Sequence, residues 1–316
     1  MGTAHPCKSK EVKMKRLLIT LTAALLWAQF SLAGSIGTTG AQFLRLGAGA
    51  RAISLGEAYT AIAEDATAIY YNPAGLASID NQEITGMYAS HIADIKYGFI
   101  GYAQKIDRIK GGLGIGLLAV QSGKIKGYTA GEDEAEDFDA SSYALTCAYG
   151  RQWRKDLLLG AGLKLITSRI EDEKANPGVG MDLGAIYRPN KNLQLGLRVQ
   201  NLLASKMKFI EEKESLPISL NLGVAYFIPE VFKDGRLTLL LDLKVPNDND
   251  IITSLGAECL FRERFAARLG YRSEADIGSN ISVGLGLKHK NYIFDYAFLP
   301  YGDLDDTHRL SLGISF

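Results

Sequence analysis

From residue 82 to the final Phe316 the chain runs as fourteen stretches in which apolar side chains alternate with small or polar ones. Ile218, Leu220, Leu222, Val224 and Tyr226 alternate with Ser219, Asn221, Gly223 and Ala225. Ile281, Val283, Leu285 and Leu287 alternate with Ser282, Gly284, Gly286 and Lys288, and Leu310, Leu312, Ile314 and Phe316 with Arg309, Ser311, Gly313 and Ser315. A period of two puts the two sets on opposite faces of a strand. The runs span about 82–91, 96–106, 111–121, 140–150, 156–168, 178–188, 192–202, 217–228, 236–246, 251–262, 264–273, 280–289, 291–300 and 307–316. About ten residues is what a tilted strand needs to cross a bilayer, and an even count closes a barrel with both ends on one side. The expected fold is all-β: a 14-stranded antiparallel transmembrane β-barrel over residues 81–316. No later segment approaches the ~18 uninterrupted apolar residues of a spanning helix.

The connections give an independent sign. With the first strand starting in the periplasm, the outward-facing connections are 92–95, 122–139, 169–177, 203–216, 247–250, 274–279 and 301–306, which include every long one. They are acidic, carrying Glu132, Asp133, Glu134, Glu136, Asp137 and Asp139 in one and Asp303, Asp305 and Asp306 in another. The opposite set is mostly short and basic, as in Arg151-Gln152-Trp153-Arg154-Lys155 and Lys288-His289-Lys290. Outer-membrane barrels combine short periplasmic turns with longer extracellular loops.

The inward phase carries Asp182, Arg198, Asp242, Lys244, Glu258, Arg268, Asp295 and Arg309. Neighbouring opposite charges on successive strands are placed to form a ladder. Inside a membrane barrel such groups pair or stay wet, and structural pairing is the favoured reading over a permeation filter.

The chain of 316 residues has a formal net charge of zero, which speaks against a nucleic-acid binder. Residues 1–33 read as a signal peptide: Lys10, Lys13, Lys15 and Arg16, an apolar run over 17–28, then Ser31-Leu32-Ala33 before Gly34. Met14 is an alternative start. Cys147 and Cys259 sit on the apolar phase of their strands and read as small hydrophobes. Catalysis finds no constellation: the histidines are scattered, no Ser–His pair stands out, and no metal-ligand spacing occurs. No cofactor is expected.

Between the signal and the first strand, residues 34–80 form an Ala- and Gly-rich piece, expected to be a short, partly helical hatch inside the barrel, entered from the periplasmic side. Gly47 and Gly49 free the backbone to turn. Ser54 is placed to cap a short helix with Glu57 as its capping-box partner, and Thr67 to start a second. Asn72 before Pro73 ends that helix, and Gly75 permits the turn into the first strand. Arg51 and Asp65 are the segment's expected buried ion pair or lumen anchors, with an unpaired, hydrated Arg51 as the alternative.

The segment Phe43-Leu44-Arg45-Leu46-Gly47-Ala48-Gly49-Ala50-Arg51, then Leu55-Gly56-Glu57-Ala58-Tyr59, then Glu64-Asp65-Ala66-Thr67-Ala68-Ile69-Tyr70-Tyr71-Asn72-Pro73-Ala74-Gly75-Leu76, resembles the N-terminal signature of the PorV/PorQ family of outer-membrane proteins, UPF0164-like members among them. That family belongs to the wider group of fatty-acid transporter (FadL-type) barrels. The resemblance implies fourteen strands, an N-terminal hatch and an outer-membrane location. It makes Gly47, Gly49, Arg51, Gly56, Asp65, Asn72, Pro73 and Gly75 the hatch motif, structural or gating. It implies a non-enzymatic role in type IX-like secretion, docking or sorting exported proteins, with outer-membrane lipid and secreted cargo or secretion-system components as partners. The alternative it leaves open is FadL-like transport of hydrophobic small molecules, with apolar contacts at the outer mouth from Tyr128, Phe138, Met207 and Phe209 and a hydrophobic ligand as partner. N-terminal sequencing of protein isolated from outer membranes is expected to start at Gly34; a product retaining residues 17–28 would show an anchored chain instead.

Overall fold

A computed structural model describes residues 39–90, 95–127, 136–171, 173–208, 213–273, 280–300 and 306–316. Fourteen wall strands follow in chain order: β1 (Gln82–Ser90), β2 (Lys96–Ile106), β3 (Gly111–Gln121), β4 (Ala140–Arg154), β5 (Leu157–Ile170), β6 (Gly178–Asn190) and β7 (Leu193–Leu202). The second half is β8 (Ser219–Phe232), β9 (Gly235–Pro246), β10 (Ile252–Phe261), β11 (Phe265–Arg272), β12 (Ile281–His289), β13 (Tyr292–Leu299) and β14 (Thr307–Ser315). Every strand pairs antiparallel with its sequence neighbours, and β1 pairs with both β2 and β14, so the sheet closes on itself. A two-residue strand, Glu173–Lys174, prolongs the sheet beside β5. Small ribbons, Ile125–Gly127 with Glu136–Phe138 and Met207–Lys208 with Lys213–Glu214, stand in the two longest connections.

The expected strands differ chiefly at their ends. β4 runs on to Arg154 and β8 to Phe232. Both overruns contain a register shift, between Gln152 and Arg154 and between Pro229 and Phe232, where alternation breaks and the sequence resembles a turn.

The outer face is apolar. Leu163, Leu285, Leu310, Leu312 and Leu269 are among its most exposed side chains, and no water-soluble sheet leaves such a continuous band open. The inner face holds small and polar residues packed against residues 39–81, which fill the barrel. These form short helices, α1 (Ala50–Ile53) and α2 (Ala68–Tyr71), flanked by 3₁₀ turns at Gln42–Arg45 and Pro73–Ser78.

The hatch does not enter from the periplasmic side. Thr39 bridges to Ser215 and hydrogen-bonds Asp248, both at the long-loop end, and the chain then descends to β1 at the short-turn end. The buried carboxylate of Asp248, which also pairs with Arg45, draws this end to the mouth. The helix expected to follow Ser54 lies before it. Gly49, at φ +83, opens α1, and the left-handed Gly56 and Glu57 stop the chain from continuing as helix. Ser54 thus sits at the C-terminal end and its hydroxyl donates to the Arg51 carbonyl at 2.8 Å. Glu57 is no capping-box partner; it pairs with Arg272 on β11. Gly75 makes no turn into β1: it lies inside the 3₁₀ segment, where a Cβ would strike the Ala63 carbonyl.

Leu285, at the middle of β12 and facing outward, tests the membrane-facing surface. Leu285→Arg is expected to cost about 2–4 kcal/mol in urea unfolding from lipid vesicles, the usual penalty for a cation at the bilayer midplane. A neutral result would place this face in water.

Candidate functional site: the hatch and its cradle

The hatch main chain lies directly on the wall because the wall presents glycine where it runs. Gly112, Gly150, Gly160 and Gly184 stand opposite one another across β3, β4, β5 and β6, forming one row. The Asn72-Pro73-Ala74-Gly75-Leu76 segment rests on that row; a Cβ at Gly150 would come 2.5 Å from the Pro73 carbonyl oxygen. Two further facing pairs, Gly196 with Gly223 and Gly256 with Gly270, receive Thr60 and Ala61 and then Leu55 and Gly56. On β12, Gly284 faces Ser54.

The hatch motif is satisfied from within and from the wall. Asn72 is extended (φ −163), so α2 ends there. Its side-chain Nδ2 donates to the Thr60 carbonyl at 2.8 Å, and its Oδ1 accepts from Ala74 N at 3.2 Å, capping the 3₁₀ turn that Pro73 begins. Tyr70 accepts from Gly47 N at 3.2 Å and donates to the Leu44 carbonyl at 2.7 Å, while Tyr71 accepts from Ala48 N at 3.0 Å. These two phenols fasten the glycine-rich turn that precedes α1. Burial pushes the Tyr59, Tyr70 and Tyr71 hydroxyls well up, so all three stay neutral donors and acceptors.

Charged residues tie hatch to wall. Arg51 grips Glu258 of β10 with two bonds of 2.9 Å and lies 3.8 Å from Asp65. Burial works against its charge, but Glu258, Tyr59 and Asp65 outweigh that and hold its pKa well above the ordinary arginine value. Glu258 also accepts from Arg268 at 2.7 Å, and Arg268 reaches Asp295 at 2.6 Å, so four charges on hatch, β10, β11 and β13 form one chain. Asp242 on β9 accepts from Tyr59 N and Thr60 N at 3.1 and 2.8 Å. Arg309 on β14 donates to the Leu46 carbonyl at 2.6 Å. Arg188 on β6 holds Glu64 and Ser78 at 2.6 and 2.7 Å.

A second cluster is fully buried in the wall. Asp182 accepts from Arg198 at 2.8 Å and pairs with Lys164 at 3.3 Å; Lys164 also donates to Asn201 Oδ1 at 3.0 Å, and the Arg198 guanidinium lies over the Tyr70 ring. Lys244, inward on β9, lines a small space at the mouth with Arg45 and Gln200.

The hatch meets the inward Asp242, Glu258 and Arg309 at the hatch–wall interface, while Arg268 and Asp295 extend the Glu258 chain, Lys244 lines the mouth space, and Asp182 and Arg198 pair within the wall. The mouth residues do not assemble. Tyr128 and Phe209 fall outside the described residues. Phe138 is half-buried in its ribbon, and Met207 is buried against Gly178 within the packed interior, away from any open contact. The facing glycine rows were missed by sequence reasoning, although glycine recurs on the inward phase of β3 to β12. At the turn end a cavity of about 230 Å³ remains beneath the hatch, lined by Arg51, Asp65, Glu83, Arg236, Lys288 and other polar groups.

A plugged, antiparallel barrel with an apolar outer band is the architecture of an outer-membrane protein, and the comparisons agree. The chain belongs to the family described as type IX secretion system membrane protein PorP/SprF, whose model matches residues 145–314. A second model, uncharacterised protein family UPF0164, matches residues 29–165, which hold the hatch. No protein of curated function matches. Among solved structures, the Ralstonia pickettii toluene transporter TbuX superposes with TM-score 0.58 at 10% identity, covering 85% of this chain and 97% of that one. The Pseudomonas putida toluene transporter TodX gives 0.58 at 14% identity, with the same 85% and 97% coverage. A Pseudomonas aeruginosa FadL homologue gives 0.55 at 12%, covering 85% and 98%. At these identities the likeness is one of fold.

Glu258→Ala would leave Arg268 with Asp295 as its one carboxylate partner and release Arg51 from its strongest partner. Breaking a buried pair outright costs about 3–5 kcal/mol; Asp295 still on Arg268 and the more open Arg51 bring the expected cost below that. The variant is expected to lower the unfolding midpoint and raise single-channel conductance in planar bilayers; unchanged conductance would show that the hatch stays shut without this pair.

Proposed function

We propose that this chain is a non-enzymatic barrel that docks or sorts exported proteins in a type IX-like secretion apparatus, as a PorV/PorQ-type member of its family would. The observation that carries the reading is a hatch fastened at every level, from Thr39 and Arg45 at the mouth to Arg188 at the turn end. With its lumen occupied in this way, the barrel offers its loop end and its outer wall to partners. The family match to secretion-system membrane proteins supports the same assignment. Its partners are then outer-membrane lipid and secreted cargo or secretion-system components, engaged at the acidic loop end. No step in this role calls for a cofactor.

Transport of hydrophobic small molecules is the second reading, favoured by a fold shared with toluene transporters. It requires the hatch to move. Thr39 and Ser215 are bridge partners, and paired strands bring Cα atoms within disulfide reach. A Thr39→Cys/Ser215→Cys tether is expected to leave export intact, and in-cell cross-linking to recover secreted or machinery proteins. Failure to recover any such protein, together with loss of aromatic-hydrocarbon uptake on tethering, would replace docking by transport.

A further inference from the structure

The outer wall over β2 to β6 is not smooth. Registers place Tyr102, Ile115, Cys147, Leu163 and Met181 in one outward row, and Gln104, Leu113, Tyr149 and Ala161 in the row below it, nearer the turn end. Cys147 and Ala161 are small, and the residues around them are large. The result is a mostly apolar groove of about 670 Å³ on the lipid-facing surface, within the size range of ligand sites. Its polar feature is the Tyr102 hydroxyl, which donates to Gln104 at 2.9 Å.

The groove does not end in the hydrocarbon. Leu113 and Tyr149 also line a second depression at the β2–β3 turn, with Arg108, Ile109, Lys110 and Arg151. Tyr149 joins the two: its hydroxyl donates to the Ile109 carbonyl at 2.8 Å, and its ring leans over Gly111, where a Cβ would meet it at 2.8 Å. The acids nearby are spoken for. Asp107 pairs with Lys105 and Asp156 with Arg154, each at 3.7 Å. Arg108, Lys110 and Arg151 have no acidic partner among the described residues; Arg151 lies over the ring of Trp153, which is 64% exposed. An exposed tryptophan beside basic residues marks the height of the membrane interface.

We propose that this surface holds one anionic phospholipid of the periplasmic leaflet, an acyl chain lying in the groove and the phosphate on Arg108, Lys110 and Arg151. The charge decides the headgroup: three unneutralised cations at one rim favour a net negative lipid over a zwitterionic one. The position decides the leaflet, because the basic rim is at the short-turn end. The site is separate from the lumen and from the hatch.

The test uses the full-length barrel, purified in detergent with phosphatidylglycerol and phosphatidylcholine of matched chains, and native mass spectrometry to count retained lipid. The wild type is expected to retain one phosphatidylglycerol, preferred roughly tenfold or more over phosphatidylcholine, given the contribution of each basic residue near a lipid surface. Arg108→Gln/Lys110→Gln/Arg151→Gln is expected to abolish the preference. Ala161→Trp, which fills the groove floor, is expected to lower retention of both lipids. Lys191→Gln/Arg262→Gln, which removes the same kind of charge from other turns, is expected to leave the preference intact. Heat-modifiable migration on gels checks that each variant is folded. The proposal is overturned by equal retention of the two lipids in the wild type, by a preference that survives the triple substitution, by retention unaffected by Ala161→Trp, or by equal loss in the distant double variant.

Discussion

Close approach of main chain to main chain, permitted by the absence of a side chain, sets where the hatch lies. A strand normally presents a Cβ on each face, and that atom alone would hold a neighbouring chain away. Where Gly150 meets Pro73 and Gly196 meets Thr60, a Cβ would come within 2.5 Å of a carbonyl oxygen. The facing glycines of β3 to β6 are therefore a track, and the Asn72–Leu76 segment is shaped to it. Hatch amides are met by side chains: Asp242 for Tyr59 and Thr60, Ser311 for Ala50 at 2.7 Å, and the two tyrosines for Gly47 and Ala48.

The charges follow from that closeness. Inward acids and bases are held by partners: Asp242 takes two hatch amides, Arg309 a hatch carbonyl, and others join in chains of opposite sign. Arg51, Glu258, Arg268 and Asp295 make one such chain, Lys164, Asp182 and Arg198 another. The first contains a hatch residue and three wall strands, so hatch position and wall geometry depend on each other. The second belongs to the wall and meets the hatch at the Tyr70 ring.

A barrel occupied in this way has its chemistry turned outward. The loop end carries acids, the turn end bases, and the wall between them an apolar band with a groove over β2 to β6. Solved structures of similar fold include toluene transporters, while this chain belongs to a family named for secretion. The two roles ask for opposite behaviour of one segment: transport needs the hatch to yield, docking needs it to hold.

The wall was readable from sequence because alternation is local. Period two assigns each side chain of β8 or β14 to a face without knowledge of its neighbours, and the loop asymmetry then orients the barrel. The inward set from Asp182 to Arg309 could be named for the same reason. The hatch was only partly readable. Asn72 before Pro73 marks a helix end in any context, and that is where α2 stops. Ser54, by contrast, looked like a cap because its neighbour Glu57 has the right spacing, while Gly49 and Gly56, with their positive φ, had already decided where α1 begins and ends. Which acid receives Arg51, that Thr39 lies at the mouth, that Met207 is interior, and that glycines on separate strands fall into one row are facts of register across the closed sheet. Alternation determines the face of every residue; only the closed barrel determines its height, and partners are chosen by height.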